Sequence, residues 1–152
     1  TPAVESLRRD FRLPGMRVLQ FAFDGSADNP HLPYRIERDA VAYTGTHDND
    51  TTLGWYRALD AAARRRVEFL LRSDRVPMPE ALLRAAIGSN ADLAVTPVQD
   101  LLGLGSEARF NTPGISTGNW TWKLARGALD DHLARWCLAL NEAYGRLARP
   151  PS

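Results

Sequence analysis

In the stretch "YTGTHDNDTTLGW", residues 43 to 55, a histidine, two aspartates and an asparagine stand together at 47 to 50, between an apolar run and an amphipathic one. Carboxylates at such a place can move protons, grip hydroxyls or stabilise positive charge, and an imidazole beside one can orient or pair it. Asp50 is expected to cap the helix that starts at Thr51, because aspartate accepts the orphan backbone N–H groups of a first turn. Asp48 comes too early for that turn and needs another partner, for which His47 is placed. A metal site is the rival reading, since His-Asp pairs ligate divalent ions. Only His31, in a proline-bound loop, and His132, in the last helical segment, remain as further imidazoles, so no metal or cofactor is expected.

Asp24 ends the apolar run "MRVLQFAF". If that run and "AVAYTGT" are neighbouring strands, Asp24 and Asp48 end strands about 4.8 Å apart, close to the ~5 to 5.5 Å of a retaining glycosidase pair. A plain Asp-Gly turn is the other reading of Asp24, and the residues leave both open. Trp55 has helical spacing and reads as core, whereas Trp120 and Trp122 in "GNWTW" fit either packing or stacking on a sugar. "GLG" at 103 to 105 lacks the third glycine of a dinucleotide fingerprint. Cys137 lies in an apolar helical segment and reads as packing.

The elements that position these residues follow from periodicity. Val4, Leu7 and Phe11 predict a helix over 2 to 12, with Thr1 as cap and Pro2 in its first turn. "MRVLQFAF", 16 to 23, predicts a strand buried on both faces, and "AVAYTGT", 40 to 46, a second. Leu53, Tyr56, Leu59, Ala63, Val67 and Leu70 predict one helix out to about residue 72, and "PEALLRAAIG" a further one, so that 60 to 90 forms a helical insertion. "LAVTPV", 93 to 98, predicts a third strand, followed by a long polar loop. Leu129 to Leu147 predict a closing helix at about 128 to 148 before Pro150 and Pro151. This order is α/β with a mainly parallel sheet. Three strands alone leave two unpaired edges, and a closed parallel barrel needs about eight.

The bulk properties narrow the function. With 19 basic and 18 acidic residues the chain has no strong field for nucleic acid or an anionic membrane, so neither is expected as a partner. One cysteine excludes an internal disulfide and fits a cytoplasmic setting. No apolar run approaches the ~18 residues of a spanning helix. The start at Thr1-Pro2, without methionine, points to a piece of a longer architecture or to a processed N-terminus.

Taken in order, "LPGMRVLQFAFDG", "NPHLPY", "YTGTHDNDTTLGWYR", "LAVTPVQDLLGLGSEARFNTPG" and "GNWTWKL" resemble the C-terminal part of the amylomaltases. This is the 4-α-glucanotransferase or disproportionating-enzyme family, related to the α-amylase clan. The resemblance runs from about residue 1 to 125 and implies the last three strand-helix units of a (β/α)8 barrel. It also implies a retaining enzyme that moves α-1,4-glucan segments between maltooligosaccharide chains. Such enzymes use an aspartate nucleophile, a glutamate acid/base and a second aspartate that grips the donor sugar. On this implication Asp48 is the gripping aspartate, His47 its sugar-binding companion, Asn111 and Pro113 line the donor or neighbouring subsites, and Asp24 lies toward the acceptor. The nucleophile and the acid/base are expected on strands preceding Thr1, so the N-terminal remainder of the barrel is an expected partner and this chain alone is expected to be inactive. Tyr34 stands where the family commonly has histidine, which removes that contact. The alternative is a non-catalytic carbohydrate-binding or assembly module.

Overall fold

The structure is a computed structural model and describes residues 2–147. Thr1, expected to cap the first helix, and the end of the chain from residue 148, with Pro150 and Pro151, lie outside the described residues. The order is α1 (Pro2–Asp10), β1 (Gly15–Val18), β2 (Ala40–Tyr43), α2 (Thr52–Ala58), α3 (Ala61–Leu71), α4 (Glu80–Ile87), β3 (Leu93–Val95), α5 (Val98–Leu101) and α6 (Asp131–Ala143). The three strands form one parallel sheet in the order β1-β2-β3. The expected α/β class with a parallel sheet is therefore present.

The pleat sends alternate side chains to opposite faces. Ala40 and Ala42 of β2 point into the core, where they meet Leu19, Ile36, Val67, Leu82 and Ala86. Each Leu, Ile or Val buried there contributes about 1.5–3 kcal/mol. The small alanines let α4 approach the sheet closely. On the other face Met16 pairs in register with Val41, and Val41 and Tyr43 with Leu93 and Val95. Met16 and Leu93 are more than half exposed there. Along the first strand this face is covered only in part, Val18 being buried and Met16 exposed, where burial on both faces was expected.

Three boundaries differ from the sequence pattern, each for a local reason. β1 stops at Val18, and residues 19 to 21 turn into a 3-10 helix that buries Leu19 and Gln20. The apolar run reports burial correctly, but in a turn and not in a strand. The helix expected from 53 to 72 is two helices. Leu59 is extended, and the Asp60 carboxylate accepts the N–H groups of Ala62 and Ala63 at 2.8 and 2.7 Å, starting α3 afresh. The closing helix runs from Asp131 to Ala143, shorter than 128 to 148. Asp130 caps it through Leu133 N–H at 2.8 Å, and Gly145 in the left-handed region (φ 66°) turns the chain out of it.

Candidate active site

The segment 45–51 follows the carboxyl end of β2 and delivers the chain to α2. Its turn is built by Asn49, whose Oδ1 accepts from the Thr46 N–H at 2.9 Å and the Thr46 hydroxyl at 2.8 Å. The helix cap is Thr51, whose hydroxyl accepts the Gly54 N–H at 3.1 Å, and not Asp50 as the sequence predicted. Asp50 is occupied elsewhere: Oδ1 accepts the Thr51 N–H at 2.8 Å and Oδ2 the Ser106 hydroxyl at 2.7 Å. The hydroxyl of the next residue takes the first-turn N–H, and Asp50 is left to tie α2 to the loop after α5.

Asp48 stands on the rim, its side chain half exposed. Oδ1 accepts the Asn111 amide N–H at 2.6 Å and faces His47 Nε2 at 3.3 Å. Asp48 Oδ2 has no hydrogen-bond partner among the described residues. Arg109 locks the two chain segments together, because Nη2 donates to the Asp48 carbonyl at 2.8 Å and Nε to the Asn111 carbonyl at 2.9 Å. The His47 ring packs against Trp120 with centroids 5.3 Å apart, and Phe110 touches both Trp120 and Trp122 at 5.6 and 5.8 Å. Trp120 adopts φ 61°, a conformation that a bulky side chain disfavours. Its N–H donates to the Phe110 carbonyl at 2.8 Å, which holds the indole beside His47. A cavity of about 650 Å³ opens here between His47, Asp48, Val95, Arg109 and Phe110. Tyr43, Phe110, Asp48 and Asn49 line this cavity, and aromatic rings, a carboxylate and an amide around one cavity suit a neutral polyhydroxy ligand, whose C–H faces stack and whose hydroxyls donate and accept.

The family model for 4-alpha-glucanotransferase matches residues 1–129. The chain belongs to this family. The 4-alpha-glucanotransferase of Thermus thermophilus is 48% identical over 158 residues, covering 97% of this chain and 31% of that protein. The 4-alpha-glucanotransferase of Solanum tuberosum, named as chloroplastic/amyloplastic, is 41% identical over 151 residues, covering 97% of this chain and 26% of its own length. The amylomaltase of Streptococcus agalactiae, solved in complex with acarbose, superposes with a TM-score of 0.89 at 27% identity over 96% of this chain and 30% of that one. The chain thus spans about a third or less of the 4-alpha-glucanotransferases it matches.

The structure brings three of the five sequence-predicted residues together: His47, Asp48 and Asn111. Pro113 is exposed further along the same loop. Asp24 does not end a strand. It follows the 3-10 turn, its Oδ1 accepts the Ser26 N–H at 2.9 Å, and it lines no part of the cavity at Asp48. The strand-end basis for pairing Asp24 with Asp48 is thereby removed, although β1 and β2 are neighbours as expected. The Ser26 N–H, and after it the Asn29 amide, hold the Asp24 carboxyl below the usual carboxylate range. Tyr34 is exposed beside α3 and α4, away from this site. His31 Nδ1 accepts the Val18 N–H at 3.0 Å and its ring meets Phe21 edge-on, so it shapes the end of β1. Sequence reasoning missed Arg109, Ser106 and Asp100. Arg109 sits two positions before Asn111 in a polar loop, and that proximity was the available signal.

Proposed function

We propose that the chain supplies the donor-gripping rim of a retaining 4-α-glucanotransferase that moves α-1,4-glucan segments between maltooligosaccharides. The observation that carries the reading is the state of Asp48. One oxygen is anchored by Asn111 and faces His47, while the other has no hydrogen-bond partner among the described residues, and Asp48 lines the cavity. As a glycosidic bond breaks, the sugar ring flattens toward an oxocarbenium ion, and hydroxyl hydrogen bonds that tighten at that moment lower the barrier. A fixed carboxylate near the ring also stabilises the developing charge. His47 and Asn111 hold Asp48 and offer further hydrogen bonds to the sugar. Pro113 borders a neighbouring subsite and Asp24 lies toward the acceptor in the same reading.

The nucleophile and the acid/base come from an N-terminal remainder, with which these strands complete a (β/α)8 barrel. Two features support this. The sheet face bearing Met16, Leu93 and Val95 is exposed, as are Val4, Leu7 and Phe11 of α1, and apolar surface of that kind is buried in a finished parallel sheet. The matched relatives are also three to four times longer. A cytoplasmic setting belongs to the same proposal and is supported by the free Cys137.

Maltotriose disproportionation tests the reading with the chain alone, the full-length protein and its Asp48→Asn variant. The expected result is activity in the full-length protein only, with a loss of at least about a hundredfold in the variant. Turnover by the chain alone would overturn its inactivity, and an unimpaired variant would remove the role of Asp48.

A further inference from the structure

The Asp100 carboxylate is 1% exposed, and nothing in the catalytic reading above uses it. Its Oδ2 accepts the hydroxyls of both Thr44 and Thr52, at 2.6 and 2.7 Å, and its Oδ1 accepts the Thr52 backbone N–H at 2.7 Å. Both threonines are completely buried. A buried carboxylate is costly to desolvate, and three short bonds to it are the compensation that keeps it in place.

What those bonds join gives the group its significance. Thr44 is the first residue past β2 and Thr52 the first of α2, so one carboxylate holds both ends of the segment 45–51 that carries His47 and Asp48. Asp100 itself lies in α5, directly before the loop that carries Arg109 and Asn111, and its neighbour Gln99 donates to the Ala108 carbonyl at 3.3 Å in that loop. The two segments that meet at the Asp48–Asn111 bond therefore share an anchor at their base.

We propose that Asp100 is a positioning residue for the glycosyl transfer: by pinning Thr44 and Thr52 it fixes where Asp48 stands relative to Asn111. This rests on the reading of Asp48 as the sugar-gripping carboxylate. A reacting group displaced by about 1 Å loses up to about a hundredfold in rate, so the anchor acts on turnover more than on binding.

The test uses the full-length protein, with maltotriose kinetics and thermal unfolding of Thr44→Val, Thr44→Ser, Asp48→Asn and the Thr44→Val/Asp48→Asn double variant. Valine keeps the shape of threonine and removes the hydroxyl, whereas serine keeps the hydroxyl. Thr44→Val is expected to lower kcat about tenfold with KM within about twofold, and Thr44→Ser to recover most of that loss. In the Asp48→Asn background Thr44→Val should change kcat by less than about twofold, because the residue it positions no longer acts. An unchanged rate in Thr44→Val, failure of serine to rescue it, or a full tenfold loss added to that of Asp48→Asn overturns the proposal. Wild-type turnover in Asp48→Asn sinks the catalytic reading of Asp48 and this proposal with it, a result distinct from an impaired Asp48→Asn beside a normal Thr44→Val. Should Thr44→Val fail to fold, Thr52→Val and Thr52→Ser carry the same comparison, since there the Thr44 bond and the Thr52 N–H remain.

Discussion

The Asn111 side-chain amide donates to the Asp48 carboxylate across 2.6 Å, joining positions 63 residues apart in the chain. The bond fixes one oxygen of Asp48 and leaves the direction of the other defined. A hydrogen bond to a charged group contributes about 1.5–3 kcal/mol, and at this exposed position the lower end applies. Asn111→Ala in the full-length protein is therefore expected to lower kcat for maltotriose about tenfold. Asn111→Asp should cost more than alanine, because it sets a second carboxylate against the first. Steady-state kinetics of the two variants check the order, and an aspartate variant faster than the alanine one contradicts it.

Arg109 reaches two carbonyls with two different nitrogens, Nη2 to Asp48 and Nε to Asn111. A lysine ammonium is a single point and lacks the planar fork that spans both. Arg109→Lys should lose nearly as much kcat/KM as Arg109→Met, about tenfold each, although only methionine removes the charge. Full activity in Arg109→Lys would show that the charge and not the fork matters.

His31 makes stability depend on pH. Burial, and after it the Arg17 charge, push its pKa below the ordinary 6.5, and its Nδ1 is already occupied by the Val18 N–H. The folded state thus binds fewer protons than the unfolded chain between the lowered value and 6.5. The histidine's contribution is complete above pH 6.5 and is lost as the pH falls through the folded value. Unfolding midpoints measured from about pH 7.5 to about pH 5 should fall more steeply for wild type than for His31→Asn, whose Oδ1 still accepts the Val18 N–H without titrating. Parallel curves would exclude His31 as the source.

Sequence pattern reached the parallel sheet through apolar runs, and it failed where burial and backbone geometry separate. Leu19, Ala22 and Phe23 are buried as their run implies, but in and after a 3-10 turn, and period alone does not distinguish that from a strand. Leu53 to Leu70 keep helical spacing across the break at Leu59 because that residue still packs on the core from an extended backbone. The cue for the break was local: Asp60 followed by alanines is a cap signal. At the site, the His47–Asp48 pairing was legible because the two are adjacent in the chain. Asn111 came from the family resemblance, since no spacing rule connects residues so far apart. Asp100 carried no signal, because a lone aspartate in "VQDLL" resembles any solvated helix residue until the fold brings Thr44 and Thr52 to it.

Gly54 sits in the first turn of α2, where alanine would ordinarily favour the helix by about 0.5–1 kcal/mol. Here a Cβ would come within 2.7 Å of both Asp50 carboxylate oxygens and would also overlap the Ser106 hydroxyl. Asp50 is a short side chain held by the Thr51 N–H and by Ser106, so it moves only by giving up those bonds. Steric conflict therefore outweighs propensity, and Gly54→Ala is expected to destabilise the protein by about 1–3 kcal/mol in denaturant unfolding. Ser106→Ala removes one of the crowding atoms together with its bond to Asp50. Combined with Gly54→Ala it should cost less than the sum of the two single variants. Strict additivity in that cycle would place the origin of the glycine requirement elsewhere.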